Sequence, residues 1–169
     1  MSDRALLKSI GGEVQSRRKA CGMSQEDVAE LAGAHHNTVG RIERGEADPS
    51  VVSLSYLYFL LECSGVHVDR SGVIPFCMPG VSFSSASAPE IAGMSPAEMV
   101  HRLGTVVRGR RSAMGMSLRQ LARSSGIHAN SLWNLETGLV SPAITTYYRA
   151  LRAMEVSRVT LQDGVPLLQ

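Results

Sequence analysis

The sequence predicts an all-α protein made of two tandem copies of one small domain, each of four to five helices, with room for a short β extension after each. Three observations carry this. Residues 11–49 and 104–142 align without a gap, 93 positions apart, and are identical at 15 of 39 positions. A repeat this regular means two copies of one structural unit. Within each copy, apolar residues recur every three to four positions, the period of amphipathic helices. The chain has 169 residues, 44% of them hydrophobic and 19% charged. That suits two soluble units of about 55–60 residues, each just large enough to fold alone.

The elements follow in order. Leu7, Ile10, Val14 and Cys21 mark a first helix over about 4–21, stopped by Gly22. Ser24, with Asp27 three residues on, caps a second helix, Gln25–Ala32, that turns Val28, Ala29, Leu31 and Ala32 inward. Gly33 breaks it after two turns. A third helix, His36–Glu43, buries Val39 and Ile42 and ends at Gly45. Pro49–Ser50 opens a fourth, with Val51, Leu54, Leu57, Tyr58 and Leu61 inward. The second copy repeats the series. Ser95-Pro96-Ala97-Glu98 is a capping box with proline at the first helical position. Val100, Leu103, Val107 and Met114 form the first stripe. Leu121, Ala122, Leu132, Leu135, Ile144, Tyr147, Leu151 and Met154 supply the rest of the core.

These patterns divide the chain into a domain at 1–63, a linker at 64–94, a second domain at 95–156 and a tail at 157–169. In the linker, 66–76 reads as strand, turn, strand, and the tail residues 159–168 carry a similar pattern at the same offset. The two segments are candidates to pair, within a chain or between chains.

Two short helices joined through one glycine form a helix-turn-helix, whose second helix enters the DNA major groove. The run Ser24-Gln25-Glu26-Asp27-Val28-Ala29, Gly33-Ala34, and Val39-Gly40-Arg41-Ile42-Glu43-Arg44-Gly45 resembles the phage-repressor/Cro-like (XRE) helix-turn-helix domains. The second copy resembles them more loosely, and the resemblance spans roughly 4–63 and 97–156. It implies a sequence-specific DNA-binding transcriptional regulator, most often a dimeric repressor. It also implies that the arginine of the first helix pairs with the glutamate ending the third, Arg18 with Glu43 and Arg111 with Glu136.

In that arrangement His36, Asn37 and Arg41 reach base edges from the first copy, and Ala129, Asn130 and Asn134 from the second. Arginine binds guanine and asparagine adenine in a bidentate way. For Asn37 and Asn130 the competing use is capping their own helix start. Arg18, Gln25, Thr38 and Arg44 are expected at the DNA backbone, with Arg111 and Ser131 in the second copy. Leu118 and Thr137 replace Gln25 and Arg44 there, and Arg119 and Arg123 stand ready to compensate. His35 and His128 lack the companions of a metal site, which favours a local cap or a phosphate contact. Gly40 and Trp133 share one position: the glycine suits a close approach or simple tolerance, and the tryptophan suits DNA or the other repeat.

The net charge is +2, split unevenly: −2 over residues 1–63 and +5 over 96–169, where every basic residue is arginine. That asymmetry points to a polyanion. The expected partner is a double-stranded operator, bound by a homodimer or by the two halves of one chain as an intramolecular pseudo-dimer. The residues show no catalytic constellation and no metal or cofactor motif, so no enzyme and no cofactor are expected. Three cysteines without ligand or disulfide spacing, no signal peptide and no membrane span suit a cytoplasmic protein. Two alternatives stay open: a protein–protein adaptor in which one repeat serves dimerisation, and an antitoxin-type autorepressor.

Overall fold

The computed structural model describes residues 2–63 and 95–156, and the backbone of Val159–Gln162 and Val165–Leu168. The expectations for 66–76 and the side chain of Tyr58 lie outside the described residues. The first repeat comprises α1 (Asp3–Ala20), α2 (Gln25–Leu31), α3 (His36–Glu43) and α4 (Val51–Cys63). The second comprises α5 (Pro96–Ala113), α6 (Leu118–Ser125), α7 (Ala129–Thr137) and α8 (Ile144–Ala153). β1 (Val159–Gln162) and β2 (Val165–Leu168) follow as an antiparallel hairpin that pairs Val159 with Leu168 and Gln162 with Val165. The tail therefore makes a hairpin of its own, with the backbone of β2 running beside α5.

The repeat is carried into the core position by position. Leu6, Ile10 and Val14 are buried on α1, and their counterparts Met99, Leu103 and Val107 are buried on α5. Val28 and Leu121, Val39 and Leu132, and Ile42 and Leu135 do the same on the next two helices. These side chains join one buried cluster that runs through both repeats. Gly11 and Gly104 let the first helix press against the third: a Cβ at either would lie 2.3 Å from the carbonyl oxygen of Ile42 or Leu135.

Three inward expectations need correcting. Leu31 is 59% exposed and Ala32 is exposed, because α2 buries only Val28 and Ala29 on its single inward stripe. Met114 is 37% exposed at the C-cap of α5, where the chain has already turned away from the core. On α1 the deepest leucine is Leu6, and Leu7, partly buried, packs against the core as the apolar stripe predicts.

The repeats dock about a pseudo-two-fold axis through Ser50 and Ala143, which form an isolated antiparallel bridge. Val51 N–H donates to the Pro142 carbonyl and Ile144 N–H to the Pro49 carbonyl, both at 2.9 Å. Helix α1 lies against α8, and α5 against α4. The same relation governs the caps. Ser141 accepts from Val52 N–H of α4 at 3.2 Å, and Asp48 accepts from Thr145 N–H of α8 at 3.2 Å and from its hydroxyl. Helix α8 has no side-chain cap from its own N-cap residue, Ala143. Each repeat thus satisfies orphan donors at the start of the other's fourth helix. Arg149 adds an ion pair to Asp3 across the junction.

Candidate nucleic-acid interface

The second helix of each repeat is set by its first residues. Ser24 accepts from Asp27 N–H while Asp27 accepts from Ser24 N–H, and Ser117 with Gln120 repeats this capping box. The third helices are capped by histidine. His35 Nδ1 accepts from Asn37 N–H at 3.4 Å, and His128 Nδ1 from Asn130 N–H at 3.2 Å. An accepting Nδ1 places the proton of the neutral ring on Nε2. The histidines perform the capping, and the side-chain amides of Asn37 and Asn130 stand on exposed positions without a hydrogen bond among the described residues.

Each third helix is braced from below by an ion pair. Arg18 donates to Glu43 through Nε at 2.5 Å and Nη2 at 3.0 Å, and through Nη1 to the Met23 carbonyl. Arg111 does the same with Glu136, at 2.6 and 2.8 Å, and with the Met116 carbonyl. Hydrogen bonding to Glu43 holds the Arg18 guanidinium above its ordinary value, and Glu136 does so for Arg111. Burial alone would push the Glu43 carboxyl up. Hydrogen bonds from Arg18, Gln25 and Gln15 outweigh it and leave the group below the usual glutamate range. Gly45 and Gly138 then turn the chain at φ +67°, and a Cβ there would meet the backbone of Lys8 or His101 within 3 Å. A left-handed residue pressed on a neighbouring helix has room only for glycine.

What remains outward on α3 is His36, Asn37 and Arg41, all exposed, with the His35 and His36 rings 4.1 Å apart. On α7 the outward set is Asn130, exposed, with Ala129 and Asn134 half-buried and Trp133 51% exposed. Residues three and four apart share a helix face, so Trp133 stands with Asn130 and Thr137 on the side away from the core.

Two sequence comparisons bear on this geometry. A helix-turn-helix model matches residues 14–55, and a helix-turn-helix domain model matches residues 102–163. The chain is a tandem helix-turn-helix protein. It matches no curated protein and no solved structure. Helix-turn-helix domains bind DNA, which assigns that property here and points to transcription regulation. No helix among the described residues is long and apolar enough to cross a membrane.

The helix-turn-helix frame sorts the backbone candidates. Arg18 and Arg111 are buried or nearly so, and their guanidinium groups form the brace to Glu43 and Glu136 that the resemblance implies. Gln25 donates to Glu43 at 2.7 Å and lies over Gly40, where a Cβ would come within 2.9 Å of its Oε1. Gly40 is therefore a close-approach glycine. Its counterpart Trp133 goes with Leu118, which reaches for no carboxylate. Arg44 is exposed and paired with Glu46 at 2.9 Å, and both are lost together in the second repeat as Thr137 and Leu139. The Thr137 hydroxyl donates to the Trp133 carbonyl at 2.8 Å, within its own helix. Thr38 is half-buried and Ser131 exposed at matching positions. Arg119 and Arg123 are exposed on α6, where α2 carries Glu26 and Glu30. Sequence reasoning did not anticipate the reciprocal caps by Asp48 and Ser141.

Proposed function

We propose that this chain is a sequence-specific transcriptional repressor in which one molecule reads two unlike half-sites. The observation that supports this reading is the pseudo-two-fold packing, which carries both third helices on one frame. A two-fold pair of reading helices matches successive major-groove faces of one duplex. Resemblance to phage repressors gives the direction of regulation. His36, Asn37 and Arg41 would read one half-site, and Ala129, Asn130 and Asn134 the other, with the Trp133 ring placed for a thymine methyl. Gln25, Thr38, Arg44 and Ser131 would position the backbone.

Selection from a random duplex pool, followed by footprinting, tests this. The recovered site should be an imperfect inverted repeat. Arg41→Ala should cost about 1–3 kcal/mol and relax one base in one half only, and Asn134→Ala should relax a position in the other half. A second reading, the adaptor, is favoured by the apolar side chains Trp133, Leu139 and Val140 exposed around α7. If the recovered site has a single half and Asn134→Ala binds like wild type, the second repeat is a docking module and the adaptor reading replaces the first.

A further inference from the structure

We infer that the outer faces of α2 and α6 are the two halves of a contact between successive copies of this chain. The inference goes beyond DNA binding and does not depend on it. Glu26 and Glu30 on α2 are exposed, and so are Arg119 and Arg123, their counterparts on α6 under the pseudo-two-fold. No ion pair or hydrogen bond engages any of these four side chains among the described residues. Both pairs have i, i+4 spacing, so each forms a ridge about 6 Å long on one helix face. The charges are opposite at equal spacing.

Among the described residues no ion pair joins the two ridges within one chain. Between chains, α2 laid antiparallel on α6 brings Glu26 to Arg123 and Glu30 to Arg119. The same placement carries Leu31, 59% exposed at the end of α2, towards Met114, 37% exposed just ahead of α6. An apolar seat then lies beside two ion pairs. DNA phosphate is the poorer occupant for the arginine ridge. The backbone of a duplex is itself two-fold, so a phosphate clamp at Arg119 and Arg123 would set Glu26 and Glu30 against phosphates on the other half. The contact joins unlike faces, so it is heterologous and adds copies head to tail, in a ring where the rotation closes and in a filament where it does not. Two exposed ion pairs are weak and screened by salt, so the association belongs to low ionic strength, high concentration or a shared template.

Sedimentation of the full chain at low salt over a wide concentration range tests this, with circular dichroism and melting as checks on folding. Wild type should grow in mass beyond one chain. Glu26→Arg with Glu30→Arg, or Arg119→Glu with Arg123→Glu, should weaken that growth at least about tenfold. Mixing the two double variants, or combining all four changes in one chain, should restore it. A wild type that stays at the mass of one chain overturns the inference, as do reversals that leave association unchanged. Binding to a mixed-sequence duplex separates the DNA alternative. If the arginine reversal lowers the salt slope by about two while association survives, the ridge serves phosphates instead.

Discussion

The two repeats hold the same helix in different ways. In the first, the carboxylate of Glu43 receives Arg18, Gln25 and Gln15, and Gly40 clears the space that Gln25 crosses. In the second, Arg111 is the one partner of Glu136 among the described residues, Leu118 and Arg108 stand where the glutamines would be, and a tryptophan fills the place of the glycine. The backbone and the buried positions are shared, so the brace and the outer face are where the copies have diverged. A polar lattice under α3 keeps an arginine-bearing surface, while a minimal brace under α7 accompanies a face without charge.

Removing the brace should show the difference most strongly. Arg111→Met leaves the buried carboxylate of Glu136 with no other donor among the described residues and should cost about 3–5 kcal/mol. Arg18→Met leaves two amide donors on Glu43 and should cost about 1–2 kcal/mol less. Denaturant unfolding, with amide exchange to assign the loss to a repeat, measures both. The pH dependence has a definite sign. Glu43 lies below its unfolded value, so its contribution is complete above the unfolded glutamate range near about 4.3 and is lost as pH falls through the folded value. Acid should therefore narrow the gap between wild type and Arg18→Met, and a gap that widens in acid would contradict the assignment.

The caps across the junction should rank next. Asp48→Ala removes an acceptor from both the amide and the hydroxyl of Thr145, and should cost about 1–2 kcal/mol; Ser141→Ala removes one bond to Val52 and should cost about 0.5–1. Faster exchange of the Thr145 amide in the first variant and of the Val52 amide in the second would locate each effect. Equal changes in both would mean that the junction opens as one piece.

The smallest effect is expected at the position shared by Gly40 and Trp133. Gly40→Ala gains about 1 kcal/mol of helix propensity but pushes Gln25 and Arg44, whose atoms lie 2.9 and 3.1 Å from the new Cβ. Both are ends of flexible side chains, so the net change in melting should fall within about 0.5 kcal/mol. Trp133→Gly has no such offset and should cost about 0.5 kcal/mol of helix stability.

Much of this was legible in the sequence because the signals are local. Ser24 with Asp27, Ser95 ahead of Pro96, and the glycines that close the third helices mark boundaries from residues within one turn. Offset identity made the two copies evident before any coordinate. The inward side of α2 was not legible, since seven residues with Leu31 and Ala32 beside Val28 and Ala29 fit two helical faces equally. The residues proposed to read bases lie on the outer sides of the third helices, while the sequence leaves the arginines of the first helices both a DNA and a brace role. Only burial separates those roles. The junction lay furthest out of reach, because Asp48 and Thr145 are 97 residues apart and nothing in either neighbourhood announces the other.

The reciprocal caps also bear on dose response. Two separate chains that share a site must first meet, so occupancy at low concentration climbs with the square of the amount of protein. Here the partner is tethered and docked by bonds in both directions, and pairing is set by effective concentration within the chain. Dilution does not take the pair apart. Occupancy of one site should then rise in simple proportion to the protein present, and any sharper threshold has to arise between molecules.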